Sequence, residues 1–243
     1  MGFEVVPLPM LQDNYSWALI DHQRRQVAIV DPPEIEPVER LLGQTGMDLE
    51  LILLTHHHPD HIAGADALRR KYGARIVGAR ADQHRLPSLD QAVAEGDRIA
   101  FGDAEAEVFD TPGHTIGHIS YYFAGEHALF CGDTLFSLGC GRLLEGTAAQ
   151  MFQSLAKFKA LPPETRVYCG HEYTEANGRF ALSVDGGNAA LQARLAQVRE
   201  LRAAGQPSLP SVLGDEMEAN PFMRAGSATR LGELRAAKDG FRG

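Results

Sequence analysis

The order of apolar and polar positions predicts strands and helices that interleave up to about residue 170. Alternating or continuous apolar runs predict strands at residues 3–8, 15–20, 26–30, 51–54, 75–79 and 167–169, and around Ile99, Val108, Tyr121 and Leu129. Helical spacing predicts helices near residues 37–42 and over 65–72, the second closed by Gly73. Another helix is predicted to begin at Thr147, which can form a capping box with Gln150.

After residue 169 the strand signals largely cease and helical spacing dominates. Asn188 is the predicted N-cap of a helix that Gly205 follows, and one face of that helix carries Leu191, Leu195, Val198 and Leu201. We therefore predict a domain boundary near residue 172, with a mixed domain over 1–172 and a helical domain over 173–243.

Length and composition are those of a globular protein with one large domain or two unequal ones. Of the 243 residues, 44% are hydrophobic and 23% are charged. The amino terminus has neither a basic start nor an unbroken apolar run, so we expect no signal peptide and no membrane span. Cys131, Cys140 and Cys169 are expected to be free, buried thiols of a protein in the cytoplasm.

The net charge of −9 argues against nucleic acid as a partner. Binding to a polyphosphate requires a concentrated basic face, whereas the arginines here are scattered along the predicted helices. The expected partner is a small molecule, and the expected oligomeric state is a monomer.

The segment from Thr55 to His61 places four imidazoles and one carboxylate within seven residues. These ligands suit zinc, iron or manganese, and no cysteine lies among them, so the pattern favours a reactive metal site over a structural one. If the segment leaves a strand while still extended, His57 points away from the ligands, and a turn at Pro59 aims Asp60 and His61 at a second ion. The alternative, a metal-sequestering surface loop, fits poorly with the apolar flanking residues.

Two ions need more ligands than this segment supplies, and three downstream segments offer them. In each, an apolar run is followed by glycine and a side chain that can bind a metal: His114, Asp133 and His171. Any one of these segments alone would be typical of an ordinary turn. Their combination with the histidine-rich segment predicts a binuclear centre.

The seven candidate positions resemble the metallo-β-lactamase signature, which is His-x-His-x-Asp-His followed by a single His, a single Asp and a last His. They are His56, His58, Asp60, His61, His114, Asp133 and His171. Residues 55–61, 131–136, 139–142, 170–174 and 220–224 further resemble the glyoxalase II (hydroxyacylglutathione hydrolase) family. The resemblance runs over nearly the whole chain. It implies an α/β (α+β) fold, a four-layer αββα sandwich with a C-terminal all-helical domain.

That resemblance implies a metal-dependent thioester hydrolase that converts S-D-lactoylglutathione and water to D-lactate and glutathione through a metal-bridging hydroxide. It assigns one ion to His56, His58 and His114 and the other to Asp60, His61 and His171, with Asp133 as the bridge. Asp60 and Asp133 are then the catalytic carboxylates. The two divalent ions are expected to be zinc, although these ligands also accept iron and manganese.

The resemblance also implies a substrate site in the carboxyl-terminal part, with glutathione contacts at Arg142, Tyr173, Arg235 and Lys238. Without it, Arg235 and Lys238 would be interpreted as solvated positions on an amphipathic helix. Leu144 stands where some relatives have tyrosine, and Arg142 where they have lysine, so we expect weaker or differently posed glutathione binding.

Three other functions remain open from the sequence. A mononuclear iron persulfide dioxygenase shares the metal motif but lacks the helical tail, so residues 173–243 count against it. A nucleic-acid-processing hydrolase is disfavoured by the acidic balance, and a non-catalytic metal-binding protein by the complete ligand set. Asp31, at a strand end, is either an orienting partner for a ligand or a simple turn residue.

Overall fold

The computed structural model describes residues 2–243. These residues form two compact units. The first contains the chain up to Asp110 together with Gly117–Gly132, and the second contains Thr111–Ile116 and Asp133–Gly243. This division of the chain differs from the predicted domain boundary near residue 172, because the short loop around His114 and the segment after Asp133 belong to the second unit.

A mixed six-stranded sheet forms the larger part of the first unit. Its strands are β1 (Glu4–Met10), β2 (Asn14–Asp21), β3 (Gln26–Val30), β4 (Asp48–Leu53), β5 (Arg75–Ala79) and β6 (Gln91–Val93), and they lie in sequence order. The first three are antiparallel, and β3 to β6 run parallel. The helices between them are α1 (Glu36–Thr45), α2 (Pro59–Ile62) and α3 (Ala65–Tyr72). Parallel neighbours require such crossover connections, which explains the interleaved pattern of the sequence.

An antiparallel meander completes the first unit. It comprises β7 (Arg98–Phe101), β8 (Ala104–Asp110), β9 (Ile119–Phe123) and β10 (Ala128–Gly132). Tyr121 of β9 is fully buried, and its hydroxyl donates to the carbonyl oxygen of Leu54, at the end of β4, over 2.8 Å. This bond holds the backbone at the point where the chain leaves β4 and the histidine-rich segment begins.

The second unit is mainly helical. It contains β11 (Leu135–Phe136), β12 (Gly139–Cys140), α4 (Ala148–Lys159), β13 (Arg166–Cys169), α5 (Thr174–Asp185), α6 (Ala189–Ala203), β14 (Ser211–Val212), α7 (Leu213–Ala219) and α8 (Ala228–Gly240). Two short antiparallel pairs join β11 to β12 and β13 to β14. Its largest fully buried side chains are the rings of Phe158, Phe180 and Phe222.

The structure confirms the helix caps that the sequence predicts. Thr147 and Gln150 form both hydrogen bonds of the capping box at the start of α4. The side chain of Asn188 accepts from the amide of Leu191 and caps α6. The three cysteines are free and buried, as expected. Among residues 2–243, no helix combines the length and apolar character that a membrane crossing needs.

Candidate metal centre

The histidine-rich segment follows β4 directly and turns sharply at Pro59. Pro59 is the first residue of the four-residue helix α2, as its fixed φ favours. The amide of His61 donates to the carbonyl oxygen of His58 over 2.9 Å, which closes this turn. Nε2 of His56 and Nδ1 of His58 lie 3.0 Å apart. Two imidazole nitrogens at this distance can share one proton or face one cation.

Asp31 organises this segment from the end of β3. Its carboxylate accepts from the Thr55 amide (2.8 Å) and the Thr55 hydroxyl (2.6 Å), and it lies 3.0 Å from Nδ1 of His61. Asp31 is 3% exposed. Of the two sequence interpretations, the contacts favour the orienting partner, because a ring whose Nδ1 is held in this way presents Nε2 outward.

Single ligand atoms of Asp31, His56 and His61 also lie within 4.8 Å of one another, a spacing that could itself hold a cation. The Asp31 oxygens already accept the two Thr55 donors, however, so we assign this carboxylate the orienting role.

Two further contacts in the first unit were missed by the sequence interpretation. Asn14 lies at the start of β2. Its side-chain amide donates to the backbone carbonyl oxygen of Asp60 over 3.0 Å and to Oδ2 of Asp60 over 3.1 Å. The ring of His118 stacks on His56 with centroids 4.8 Å apart. No sequence signal identifies Asn14, because it is separated from Asp60 by 46 positions and meets it only in the folded protein. His118 had one sequence signal, its position directly after Gly117 in the segment that also contains His114.

His57 lies beside a different partner. Its Nδ1 is 3.1 Å from Oδ2 of Asp82, and Asp82 is 3% exposed. The other carboxylate oxygen of Asp82 accepts from the Arg85 guanidinium over 2.6 Å. The sequence predicts that His57 points away from the metal ligands. In the structure its ring contacts Asp82, whose carboxylate is ion-paired with Arg85.

The second unit brings its three candidate ligands together. Oδ2 of Asp133 lies 3.5 Å from Nε2 of His114 and 3.4 Å from Nε2 of His171. All three side chains are buried. Nδ1 of His114 lies 2.8 Å from the carbonyl oxygen of Arg142, which can only accept, so Nδ1 carries the proton and Nε2 is left available.

Close packing surrounds these three side chains. A Cβ atom at Gly141 would lie 1.9 Å from the Asp133 carbonyl oxygen, so only glycine lets the chain pass there. The rings of His171 and Tyr173 stack with centroids 4.6 Å apart, and Phe136 packs edge-on against both.

The predicted substrate-binding residues lie in the second unit. The Arg142 side chain is 64% exposed, and its Nε lies 3.4 Å from Oδ1 of Asp239. Arg235 donates to the same oxygen over 2.9 Å and to the Cys140 carbonyl oxygen over 2.7 Å, and it is only 7% exposed. Lys238 donates to the Ala176 carbonyl oxygen, and burial lowers its pKa, with repulsion from Arg235 acting in the same direction. Neither α8 cation is simply solvated.

The donor chemistry fits divalent cations. Each unit supplies imidazole nitrogens next to carboxylate oxygens, and several imidazoles have their second nitrogen held by a protein oxygen. Cys140 and Cys169 do not compete as ligands, because burial raises the pKa of the Cys140 thiol to about 12 and that of the Cys169 thiol also above its usual value. The chain thus has the side chains of a divalent-metal protein.

Comparison with known proteins identifies the family. Residues 13–171 match the metallo-beta-lactamase superfamily, and residues 172–241 match the hydroxyacylglutathione hydrolase C-terminus. A hydroxyacylglutathione hydrolase of Rhodobacter capsulatus is 53% identical over 98% of this chain and 91% of its own length. The chain belongs to the hydroxyacylglutathione hydrolase family. Another member, from Acidiphilium cryptum (strain JF-5), is 53% identical over 99% of this chain and 98% of its own length.

Membership of the hydroxyacylglutathione hydrolase family confirms the fold, enzyme class and activity expected from the motifs. The chain is a thioester hydrolase with the metallo-β-lactamase fold and a helical C-terminal region. Among solved structures, ETHE1 from Myxococcus xanthus superposes with a TM-score of 0.71 at 27% identity, over 97% of this chain and 90% of its own. A di-iron-bound form of TTHA1623 gives 0.59 at 29% identity, over 69% of this chain and 91% of its own.

Proposed function

We propose that this enzyme hydrolyses S-D-lactoylglutathione to D-lactate and glutathione at a binuclear centre. The observation that supports this most is Oδ2 of Asp133, which lies within 3.5 Å of the Nε2 atoms of both His114 and His171. One carboxylate oxygen between two imidazoles is the arrangement expected of a ligand shared by two cations. The family name of the relatives supports the choice of glutathione thioester.

The proposed ligand sets follow the family pattern. One cation would be held by His56, His58 and His114 and the other by Asp60, His61 and His171, and Asp133 would be shared by both. We propose zinc for both positions, with iron or manganese as occupants that the same ligands accept. The di-iron form of TTHA1623 supports a pair of ions in this fold.

Such a pair, when bound, would lower the pKa of water from about 15.7 towards 7 and polarise the thioester carbonyl. The side chains of the protein supply orientation. Asp31 and the Arg142 carbonyl oxygen hold His61 and His114 through Nδ1, and Asn14 holds the Asp60 carboxylate. The leaving thiolate is a weak base, so hydrolysis does not require a strong general acid from the chain.

We propose further that residues 1–172 act as the catalytic domain and residues 173–243 as the helical substrate-binding domain. Arg142, Tyr173, Arg235 and Lys238 would contact glutathione, and cations opposite its carboxylates make chemical sense. The three free thiols support a reducing, cytoplasmic location. We propose no nucleic-acid or membrane partner and a monomeric enzyme.

The alternative activity, that of a mononuclear iron persulfide dioxygenase, is disfavoured by the match of residues 172–241 to the hydroxyacylglutathione hydrolase C-terminus. A single experiment separates the two. The purified enzyme is incubated with S-D-lactoylglutathione, and loss of thioester absorbance is followed before chelation, after chelation and after zinc is restored.

We expect chelator-sensitive hydrolysis that zinc restores, with two metal ions per chain by elemental analysis. Hydrolysis that survives complete metal removal would contradict the metal mechanism. Oxygen consumption with a glutathione persulfide, in the absence of thioester hydrolysis, would favour the dioxygenase.

An Arg142→Ala variant is expected to raise KM by about tenfold while kcat stays near the wild-type value. The reason is that a hydrogen bond to a charged group contributes about 1.5 kcal/mol or more, and a tenfold change corresponds to about 1.4 kcal/mol. Steady-state kinetics with the thioester provide the measurement. Arg230→Ala is the matched control, because Arg230 is another exposed arginine with a carboxylate partner, Glu233 at 3.0 Å. If both variants have the same KM, Arg142 is not a substrate contact.

A further inference from the structure

The turn between β11 and β12 is bound by several side chains of the helical region that follows it. Leu138 in this turn has φ of +59°, a left-handed conformation that is costly for a leucine and persists only when its surroundings impose it. The hairpin of residues 135–140 lies between Asp133 and Arg142 in the chain. Its conformation therefore bears on both the candidate metal ligands and the candidate substrate contacts.

Asn220 is the central anchor of this hairpin. Its side-chain amide lies within hydrogen-bond distance of the carbonyl oxygens of Phe136 (3.1 Å) and Gly139 (2.9 Å) and of the Glu216 carboxylate (3.0 Å). Its Oδ1 accepts from the amide of Phe222 over 3.0 Å. Asn220 is completely buried and follows α7 directly. It is the first residue of the Asn-Pro-Phe-Met-Arg segment, for which the proposed mechanism gives no role.

Other side chains hold the remaining backbone groups of the hairpin. The Glu216 carboxylate accepts from the amide of Leu138 over 2.8 Å. Asn177 of α5 donates to the Ser137 carbonyl oxygen over 3.2 Å, and Arg235 of α8 donates to that of Cys140. Backbone groups of five consecutive residues, 136–140, are thus bound by side chains of residues 177–235.

Apolar packing fixes the same turn. The Leu138 side chain is fully buried in a cluster with Ala181, Leu191 and Ala219, which belong to α5, α6 and α7. Gly139 lies so close to the Asn177 amide that a Cβ atom would be 2.4 Å from Nδ2. The turn has little freedom to move once these helices are formed.

Phe136 connects this hairpin to two residues of the candidate site, His171 and Tyr173. Its ring lies 6.0 Å from that of His171 and 5.3 Å from that of Tyr173, edge-on to both. His171 and Tyr173 are stacked on each other, so a displaced Phe136 would remove a packing neighbour from both rings.

We propose that Asn220, supported by Glu216, is a positioning residue for hydrolysis, holding the hairpin so that Phe136 keeps His171 and Tyr173 in place. This inference rests on the proposed function for its kinetic consequence. The helical region then has a second task besides substrate contact, because it shapes the loop that follows Asp133. Asn220 acts through the hairpin and has no direct contact with substrate.

The test compares Asn220→Asp with Asn188→Asp. The first change keeps the size of the side chain but replaces the N–H donors to Phe136, Gly139 and Glu216 with an oxygen that can only accept. The second removes a donor to the Glu218 carbonyl oxygen (2.9 Å) and to the Asp185 carboxylate (3.0 Å) in the same helical region, and Asn188 has no hydrogen bond to the hairpin. Aspartate remains a good N-cap at position 188. Both variants are measured as full chains loaded with zinc.

Asn220→Asp is expected to lower kcat about tenfold or more, as loss of a partner that orients a ligand does. It is also expected to weaken zinc affinity and to speed amide hydrogen exchange within residues 135–140. Asn188→Asp should leave all three near wild type. Equal kcat in the two variants, or exchange that speeds up evenly along the chain, would overturn the proposal.

If Asn220→Asp does not fold, Glu216→Met provides the second test. Oε2 of Glu216 accepts from both the Leu138 amide and the side-chain amide of Asn220. Methionine has a side chain of similar length but no oxygen that could accept either bond. Faster exchange in residues 135–140 with reduced kcat supports the proposal, and unchanged exchange and kcat refute it. Wild-type inactivity on the thioester would remove the proposed function alone, because exchange and zinc affinity are measured without substrate.

Discussion

An Asp133→Ala variant is expected to lose about a thousandfold in kcat and to bind fewer than two metal ions per chain. Oδ2 of Asp133 is the oxygen that lies between the Nε2 atoms of His114 and His171, so its removal takes a ligand from both proposed cations at once. Metal ions supply several kcal/mol of transition-state stabilisation, and each 1.36 kcal/mol corresponds to tenfold in rate.

The measurement is steady-state hydrolysis of S-D-lactoylglutathione, with metal content determined on the same sample. Asp215→Ala is the control, because Asp215 is an exposed aspartate of α7 in the same unit. Asp133→Ala with two bound ions and a kcat within tenfold of wild type would rule out Asp133 as the shared ligand.

An Asp31→Asn variant is expected to weaken metal affinity by about ten- to a hundredfold, the usual effect of losing a residue that orients a ligand. Asparagine has the size of aspartate and tolerates the left-handed φ of +50° at this position. Its amide nitrogen cannot accept, however. Either the backbone amide of Thr55 loses its acceptor, or the Thr55 hydroxyl and Nδ1 of His61 lose theirs together, because these two share Oδ2 of Asp31.

Affinity is measured by competition with a chromogenic chelator, alongside the melting temperature. Asp21→Asn is a matched control, since Asp21 is also buried and accepts from the amides of Gln23 and Arg24, both over 2.9 Å. Both variants should be destabilised, and only Asp31→Asn should weaken metal binding. Equal metal affinity in the two variants would assign Asp31 a purely structural role.

The sequence predicted local elements well, because their signals are local. The capping box at Thr147 and the N-cap at Asn188 are read from residues three positions apart, and both are observed. The side-chain directions in the segment from Thr55 to His61 could also be predicted, because they depend on the strand that precedes the segment and on the turn at Pro59. Segments with weak local signals, such as β11, β12 and α7, were not predicted, because their conformations depend on packing between distant parts of the chain.

The same limit applies to the candidate site. Asn14 reaches Asp60 across 46 positions and Asn220 reaches Phe136 across 84, and neither contact has a local signature. Asp31 could be recognised as a strand-end carboxylate, but only its contacts distinguish an orienting partner from a turn residue. Arg235 likewise has the spacing of a surface residue, yet its guanidinium is buried between Cys140 and Asp239.

The absence of a side chain at position 141 limits how this enzyme can be re-engineered. A Cβ atom there would lie 1.9 Å from the Asp133 carbonyl oxygen and 3.1 Å from the His114 Cβ atom, so every other amino acid would push on two candidate ligands. Libraries that seek new acyl or thiol specificity should therefore vary the neighbouring Arg142 and Leu144 and keep this glycine constant. Saturation at position 141 would mostly yield clones with damaged metal binding, which a screen for altered selectivity would discard as inactive.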